Sequence, residues 1–260
     1  MTDRLYDRLV FAFLLTVILC QALFAAFPGL DLAVSAHFAN GRGGFGWAEG
    51  LPAMINPLLR HTGELVAVAL VLWCFYGGLT GLLRPAALRA WAFAALTVVL
   101  ASGAVVNLLL KTHVGRARPA HITEFGGTAQ FTPAWQVTDQ CSRNCSFSSG
   151  EVSLAASLAI VAVVLLWPRL KTSETRIAAL LTAGAYVGIV SVLRIGLGRH
   201  FFSDVVFSVL FSGAVALVLY RVLQVRSARL TFDPNLPILV MLDRIRDSRA
   251  FLQAWLKKPT

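Results

Sequence analysis

The sequence predicts an all-α, polytopic membrane protein in which six transmembrane helices form a bundle. Hydrophobic residues make up 57% of the chain and charged residues 14%, with a mean hydropathy of +0.71, whereas a soluble domain has roughly 25% charged residues. Runs of about 20 apolar residues, long enough for a helix to cross the bilayer core, occur six times. Charged residues, Gly and Pro bound these runs, as expected of the loops between spans.

The first run follows Arg4 and Arg8, as the apolar part of a secretory signal would. Its apolar length is about 19 residues and no convincing small-residue cleavage site follows, so we interpret it as a retained anchor. The five later runs have the length and the polar boundaries of further spans. In chain order, the runs are approximately Leu9–Phe27, Leu65–Leu83, Leu88–Leu110, Val152–Trp167, Ile177–Leu193 and Val205–Leu223.

The distribution of Lys and Arg predicts the orientation, because cytoplasmic loops carry the excess of positive charge. With the N-terminus inside, 15 of the 23 Lys and Arg residues fall on the cytoplasmic side, and both termini lie in the cytoplasm. Five of the other eight crowd into two short outer stretches, 111–118 and 194–199. Ionisable residues at a membrane edge that run against the orientation rule indicate a functional site on that face.

The chain is predicted to divide into a six-helix transmembrane domain, residues 1–224, and a basic amphipathic cytoplasmic tail, residues 225–260. Between Ile238 and Leu256 the tail has apolar residues at helical spacing and arginines on the remaining surface. Such a helix anchors on the inner leaflet or packs on the bundle, and both interpretations stay open. The net charge of +10 lies mostly in the cytoplasmic loops and this tail, where anionic lipids explain it, so we predict no nucleic-acid partner.

The four cysteines fall into two kinds of surroundings. Cys20 and Cys74 lie inside apolar runs and are interpreted as small core residues. Cys141 and Cys145 lie four apart in the long outer loop, where an oxidising compartment would permit a disulfide. Nothing nearby completes a zinc site, which needs about four ligands. We therefore predict no zinc site at these cysteines. We also predict no cofactor, and the disulfide stays open.

Three polar clusters border spans on the outer face: KTHVGRARP after the third, FSSGE before the fourth, and RIGLGRHFFSD between the fifth and sixth. Taken singly, a cation near a helix end is most often a dipole partner or a side chain that reaches to the interface. When a bundle gathers its helix ends, however, Lys111, Arg118 and Arg194 would repel one another unless an anion joined them. The planar fork of Arg and the compact charge of Lys suit a multi-oxygen anion, and phosphate is the obvious candidate.

The second cluster supplies a helix N-terminus. Ser148, Ser149 and Gly150 directly precede an apolar run, so unpaired backbone N–H groups and the positive end of the helix dipole would face outward. Gly150 also lets the backbone approach a ligand closely. The alternative is a capping box from Ser148 to Glu151, which would need no ligand. For Glu151 the two roles stay open.

The third cluster carries the chemistry. His200 and Asp204 are four residues apart, which on a helix places them on one face within hydrogen-bonding reach. A carboxylate bonded to one imidazole nitrogen fixes the tautomer and leaves the other nitrogen free to act as a nucleophile or base. Arg194 lies six residues before His200, which makes a purely structural histidine the weaker interpretation.

The order and spacing of these residues resemble those of the type 2 phosphatidic acid phosphatase superfamily of lipid phosphatases. The agreement covers roughly Leu88 to Leu223 and includes the six-span layout. The outer loop, with EFGG, FTPAW and the cysteine pair, also resembles the bacterial members grouped with lipid A phosphatases. The matching positions are Lys111 and Arg118-Pro119, then Ser149-Gly150, then Arg194, His200 and Asp204.

The resemblance implies a metal-independent phosphatase of the bacterial inner membrane with its active site at the outer, periplasmic face. His200 would form a phosphohistidine and Asp204 would orient it. The substrate would be a lipid phosphate, with a lipid A phosphate favoured and undecaprenyl pyrophosphate and phosphatidylglycerol phosphate as alternatives. The residues that the resemblance implies for holding the phosphate are Lys111, Arg118, Ser149, Gly150 and Arg194.

Three positions depart from the family's pattern: Leu193 stands for Ser, Ser148 for Pro, and Glu151 for the His that would protonate the leaving group. A carboxyl group donates a proton only if it is held protonated, which neighbouring cations oppose. Either Glu151 is nevertheless the catalytic acid, or the leaving group departs without one, or the protein binds a lipid phosphate without hydrolysing it. Arg116 and Arg199, beside the motif, are interpreted as extra charge for a headgroup or for anionic lipid.

The runner-up class is a transporter or flippase that binds a lipid phosphate. Transporters commonly show internal repeats and paired interrupted helices with polar groups at mid-membrane. No repeat is visible in this sequence, and its polar groups cluster at one membrane edge. This pattern favours the enzyme.

Overall fold

The structure is a computed structural model that describes residues 3–243 and 245–246. Its regular elements are helical, and the described residues otherwise contain only two isolated β-bridges, which confirms the all-α prediction. A π-helical segment, Val99–Leu110, joins α4 to α5 without a break. The α-helices are α1 (Asp3–Ala26), α2 (Gly29–Ala36), α3 (Leu51–Leu79), α4 (Pro85–Val98), α5 (Lys111–His113), α6 (Gly150–Leu166), α7 (Ser173–Gly196), α8 (Phe202–Val222) and α9 (Val225–Ala228).

Six helical stretches of the described chain are long and apolar enough to cross a membrane, which confirms the predicted number of spans. Each contains most of one predicted apolar run. The protein is therefore a multi-pass membrane protein. The spans are Asp3–Ala26, Leu51–Leu79, Pro85–His113, Gly150–Arg169, Ser173–Gly196 and Phe202–Val222.

The second span differs most from its prediction, since α3 begins at Leu51 rather than at Leu65. Arg60 and Glu64 interrupt the apolar run but not the helix, because charged residues with unbranched stems are good helix formers. Pro52 lies in the first turn, where its missing N–H group is not needed. The added helical turns place polar side chains on the same side of the bundle as the site described below.

Three spans form the centre of the bundle. In Pro85–His113, Gly150–Arg169 and Phe202–Val222, 44% of the apolar window is buried, against 6 to 11% in the other three spans. The other three spans, at the periphery of the bundle, expose large apolar side chains such as Phe11 and Leu181. Exposed side chains of this kind are as apolar as lipid tails, so they are stable against lipid.

Helices α6 and α8 pack through serine side chains. Ser153 Oγ and Ser212 Oγ are 2.9 Å apart, and the backbone N–H of Ser149 donates to Ser208 Oγ at 2.8 Å. Small residues let two membrane helices approach closely, and hydroxyl groups bond across the interface. This packing fixes the start of α6 against the side of α8.

The residues that follow the sixth span pack on the bundle at first. Val225 is fully buried and Phe232 is 7% exposed, both in the same apolar cluster as α4. Residues 236–243 are helical. Residue 244 and residues 247–260, which hold most of the predicted amphipathic surface, lie outside the described residues. The division of the chain after residue 224 stays a prediction.

Candidate active site

A cavity of about 850 Å³ lies where α5 ends and α6 begins. Five of the eight predicted site residues line this cavity. The remaining three, Ser149, His200 and Asp204, are almost fully buried. The structure thus gathers residues from three distant chain segments at one end of the bundle. The predicted residues that line the cavity are Lys111, Arg118, Gly150, Glu151 and Arg194.

The cavity extends from these charged groups into the membrane-spanning part of the bundle. Its walls there are α3 and the π-helical segment with the end of α4, and Val68, Val98 and Val99 line it. Gly103 lies on the same wall, is exposed, and has open space within 4 Å of its Cβ position. The cavity is therefore open between these two helices, polar at one end and largely apolar further in. This shape suits an amphipathic ligand with a charged headgroup.

Asn144 connects two of the cations. Its backbone carbonyl accepts from Arg118 Nε and Nη2 at 3.1 and 2.8 Å, and its side-chain Oδ1 accepts from Lys111 Nζ at 3.3 Å. Arg118 lines the cavity, and its Nη1 makes no hydrogen bond with the other described residues. Burial, followed by the positive charge of Arg199, lowers the pKa of Arg118. An anion in the cavity would relieve both effects, because it compensates burial and offsets the repulsion between cations.

Arg194 and Glu151 form an ion pair on the cavity wall. Arg194 Nη1 lies 3.1 Å from Glu151 Oε1 and donates to Asn56 Oδ1 at 3.2 Å. Arg194 Nε is buried without a hydrogen-bond partner among the described residues. A buried donor without a partner is unfavourable, so this N–H group is available for an anion in the cavity.

The N-terminus of α6 is built by Ser149 and Gly150. Ser149 is the N-cap, and its Oγ accepts from the N–H of Val152 at 3.4 Å. A Cβ atom on Gly150 would lie 2.5 Å from Asn107 Oδ1, so a larger residue there would displace the side chain of Asn107. The capping box from Ser148 to Glu151 is not formed, because the cap lies one residue later. Glu151 instead turns its carboxylate toward the cavity.

His200 precedes α8 rather than lying on it, since the helix begins at Phe202. Its Nδ1 lies 2.7 Å from the backbone carbonyl of Ser146 and 3.8 Å from Asp204 Oδ2. The carbonyl is therefore the closer partner, contrary to the predicted direct bond from Asp204. Because a carbonyl only accepts, Nδ1 carries the proton and the lone pair of Nε2 is free. The required tautomer is fixed, but by the backbone.

Burial is the main reason that the pKa of His200 falls to about 3. The nearby carboxylate of Asp204 opposes this shift, and the charge of Arg194 adds to it. A neutral imidazole at neutral pH is the form that a nucleophile needs.

We expect the ring of His200 to stay neutral between about pH 8 and pH 5, because its pKa lies below the ordinary value of about 6.5. Because the pKa of His200 is lower in the folded protein than in the unfolded chain, its contribution to the free energy of unfolding is lost as pH falls from about 6.5 toward 3. Nitrogen-15 spectra of histidine-labelled protein in detergent test this, with His200→Asn used to assign the signal. A signal that is absent from this variant but titrates near pH 6.5 in the parent would contradict the depressed pKa of His200.

Arg116 is the residue that sequence reasoning misread. It is fully buried and pairs with Asp204 at 2.6 Å and Asp31 at 2.7 Å, so it does not contact a headgroup or anionic lipid. Arg199, by contrast, lines the cavity. No local sequence pattern distinguishes Arg116 from the neighbouring cations. Its partner Asp31, on α2, lies 85 residues earlier in the chain.

Cys141 and Cys145 form a disulfide with a Cα–Cα distance of 5.6 Å. The small ring that it closes contains Asn144, the residue that holds Arg118 and Lys111. A closed ring reduces the number of loop conformations. The disulfide therefore helps to fix the position of the two cations.

A six-span bundle that holds a cationic cavity and a buried neutral imidazole at one end has the architecture of an integral membrane phosphatase. The chain belongs to the PAP2 superfamily, because the model of that family matches residues 91–228, more than half of its length. This confirms the resemblance found in the sequence. The protein is accordingly a phosphatase.

Two curated relatives are similar over most of their own length. The lipid A 4'-phosphatase of Francisella tularensis subsp. novicida is 28% identical over 202 residues, which cover 77% of this chain and 89% of that protein. The lipid A 4'-phosphatase of Rhizobium leguminosarum is 30% identical over 220 residues, with coverages of 75% and 90%.

A solved structure is also similar. It is the crystal structure of a transmembrane PAP2 type phosphatidylglycerolphosphate phosphatase from Bacillus subtilis, with a TM-score of 0.46 and 23% sequence identity. The alignment covers 83% of this chain and 93% of that chain.

Proposed function

We propose that this protein is a lipid phosphatase of the bacterial inner membrane that removes the 4'-phosphate of lipid A at the periplasmic face. The observation that carries the proposal is the cavity, in which Lys111, Arg118 and Arg194 meet a helix N-terminus. His200 is buried next to these lining residues, and its backbone N–H donates to the carbonyl of Arg194 at 3.3 Å. The relatives named lipid A 4'-phosphatase support the choice of substrate. The apolar part of the cavity supports a lipid.

In the proposed reaction, Nε2 of His200 attacks phosphorus, and the N–P bond forms as the P–O bond to the lipid breaks. The bound phosphate replaces Glu151 as the partner of Arg194, and its negative charge favours the protonated form of the released carboxyl group. Glu151 then gives this proton to the leaving oxygen. Water then attacks the phosphohistidine and returns a proton to Glu151, so that inorganic phosphate leaves and His200 is restored. Cationic groups fixed around the phosphoryl oxygens stabilise the charge that is spread over them in the transition state.

The phosphate would be held by groups that are fixed before it arrives. Arg118 is anchored to Asn144 through two of its nitrogens, which leaves Nη1 for the ligand. The backbone N–H of Ser149 already donates to Ser208 Oγ, so the hydroxyl of Ser149 is the group that it offers. Preorganised donors need no rearrangement during the reaction. The residues proposed to bind the phosphate are Lys111, Arg118, Ser149, Gly150 and Arg194.

Two observations support the periplasmic location of the site. With both termini in the cytoplasm, most Lys and Arg residues fall on the cytoplasmic side. The disulfide between Cys141 and Cys145, next to the site, belongs in an oxidising compartment. A cysteine-labelling experiment with a membrane-impermeant reagent on intact cells would check the side of the loop.

Phosphate release by the purified protein tests the proposed function. Lipid A, undecaprenyl pyrophosphate and phosphatidylglycerol phosphate are compared in detergent with and without a metal chelator, and mass spectrometry identifies the lipid product. We expect lipid A to react fastest, at its 4'-phosphate, and the chelator to leave the rate unchanged. Glu151→Gln tests the acid, and we expect it to slow the reaction about 10²-fold.

Each part of the proposal has its own contrary result. Faster release from one of the other lipids would refute the substrate. A rate that disappears with the chelator would refute metal independence. Binding of lipid A without release would refute turnover of that lipid, and an unaffected Glu151→Gln variant would show that the leaving group departs without this acid.

A further inference from the structure

Arg116 lies at the centre of a buried polar cluster. Nη1 is 2.6 Å from Asp204 Oδ1 and Nη2 is 2.7 Å from Asp31 Oδ2. Nε donates to the backbone carbonyl of Thr132 at 2.8 Å, and the ring of Phe201 lies 4.2 Å from Cζ. Protein groups thus surround the guanidinium, and its function has to be exerted through them.

Asp31 joins this cluster to the first turn of α8. Its Oδ1 accepts from the N–H of Ser203 at 2.7 Å, and its Oδ2 accepts from the hydroxyl of Ser203 at 2.6 Å. A carboxylate on the first N–H groups of a helix is favourable for both hydrogen bonding and the helix dipole. Asp31 is 1% exposed on α2, before the residues 91–228 that the family model matches. Asp31, on α2, therefore holds the start of α8, the helix that carries Asp204.

Asp204 transmits this constraint toward His200. Its Oδ1 is held by Arg116, and its Oδ2 accepts from the hydroxyl of Ser146 at 2.5 Å. The carbonyl of Ser146 in turn accepts from Nδ1 of His200 at 2.7 Å. A continuous series of polar contacts runs from Asp31 to the imidazole, and it passes through Arg116, Asp204 and Ser146.

We propose that Asp31 and Arg116 are positioning residues that fix the orientation of His200 during phosphoryl transfer. This rests on the proposed function, which makes His200 the nucleophile. A buried ion pair is a weak source of stability, because the desolvation of its charges offsets their attraction. It does impose a fixed geometry, and a displacement of about 1 Å at a reacting group slows a reaction on the order of 10²-fold.

Asp31→Asn tests the proposal, because it removes one charge beside Arg116 with almost no change in volume. We expect kcat to fall about 10- to 100-fold with both p-nitrophenyl phosphate and lipid A. KM should change less than about 3-fold, because Lys111 and Arg118 bind phosphate outside this cluster. Arg116→Lys should act in the same direction, since lysine lacks the planar fork that bonds two carboxylates. Asp139→Asn, at an exposed carboxylate of the outer loop, is the matched control and should keep the parent kcat.

A purely stabilising cluster would give a different result. All variants are compared as monodisperse protein in detergent, with their melting temperatures. A lower melting temperature with the parent kcat per folded molecule would overturn the proposal, and so would a change in KM alone. If Asp31→Asn does not fold, Ser203→Ala removes a single hydroxyl from the cluster. A decrease in kcat of about 3- to 10-fold supports the proposal, and an unchanged kcat overturns it.

The two substrates separate this proposal from the proposed function. A parent protein that hydrolyses p-nitrophenyl phosphate but no lipid phosphate refutes the lipid substrate, and the effect of Asp31→Asn on the soluble ester still decides the positioning role. A parent protein that hydrolyses lipid A at the same kcat as Asp31→Asn refutes the positioning role alone.

Discussion

The His200→Ala variant is expected to release phosphate from its substrate at least about 10⁴-fold more slowly than the parent protein. In the proposed reaction no other side chain can form the covalent intermediate, so removal of the imidazole removes the whole covalent route. The fold should persist, because the ring contributes one hydrogen bond, to the carbonyl of Ser146. Phosphate release by the detergent-purified variant, with its melting temperature, is the measurement.

Exogenous imidazole and a second histidine variant sharpen this test. Imidazole that enters the space left by the ring should restore part of the turnover of His200→Ala, because it supplies the same nucleophilic nitrogen. His121→Ala, at an exposed histidine of the loop between α5 and α6, should behave like the parent. Undiminished turnover by His200→Ala would remove the nucleophile assignment.

The Arg118→Lys variant is expected to lower kcat/KM about 10²-fold, the size of effect found when one preorganised donor is removed from a charged transition state. Lysine keeps the positive charge but cannot bond the carbonyl of Asn144 through two nitrogens while a third faces the cavity. The charge would therefore be retained and its position lost. Steady-state kinetics with p-nitrophenyl phosphate and with lipid A would measure the effect.

Arg143→Lys is the matched control for this prediction. Arg143 lies in the same disulfide-closed ring next to Asn144 but is exposed. We expect its replacement to change kcat/KM less than about 3-fold, as is usual for an exposed charge. An Arg118→Lys variant with the kinetics of this control would show that only the charge of Arg118 matters.

The spans were predictable because hydropathy reports directly on what lies against lipid. The exception was α3, where Arg60 and Glu64 ended the apolar run but not the helix. Helix propensity and lipid exposure are separate properties, and a search for apolar runs detects only the second. The gathering of Lys111, Arg118 and Arg194 around one cavity was predictable from topology, because successive spans alternate in direction and bring alternate loops to one face.

The partners of the site residues were less predictable. The bond from His200 to the carbonyl of Ser146 depends on the backbone path of the loop between α5 and α6, and no side-chain pattern encodes that path. The buried pair of Arg116 and Asp31 joins residues from different loops, so only the folded chain shows that these charges compensate each other. Glu151 was ambiguous because its spacing from Ser148 matched a capping box, while the actual N-cap is Ser149.

The opening between α3 and the π-helical segment has a kinetic consequence. A lipid that enters there arrives by diffusion in two dimensions, so its effective concentration is a mole fraction of the bilayer rather than an amount per litre. Dilution with inert lipid at constant total substrate would then slow turnover. Saturation curves measured at different amounts of inert lipid would coincide when turnover is plotted against the surface density of the substrate. They would not coincide when turnover is plotted against its bulk concentration.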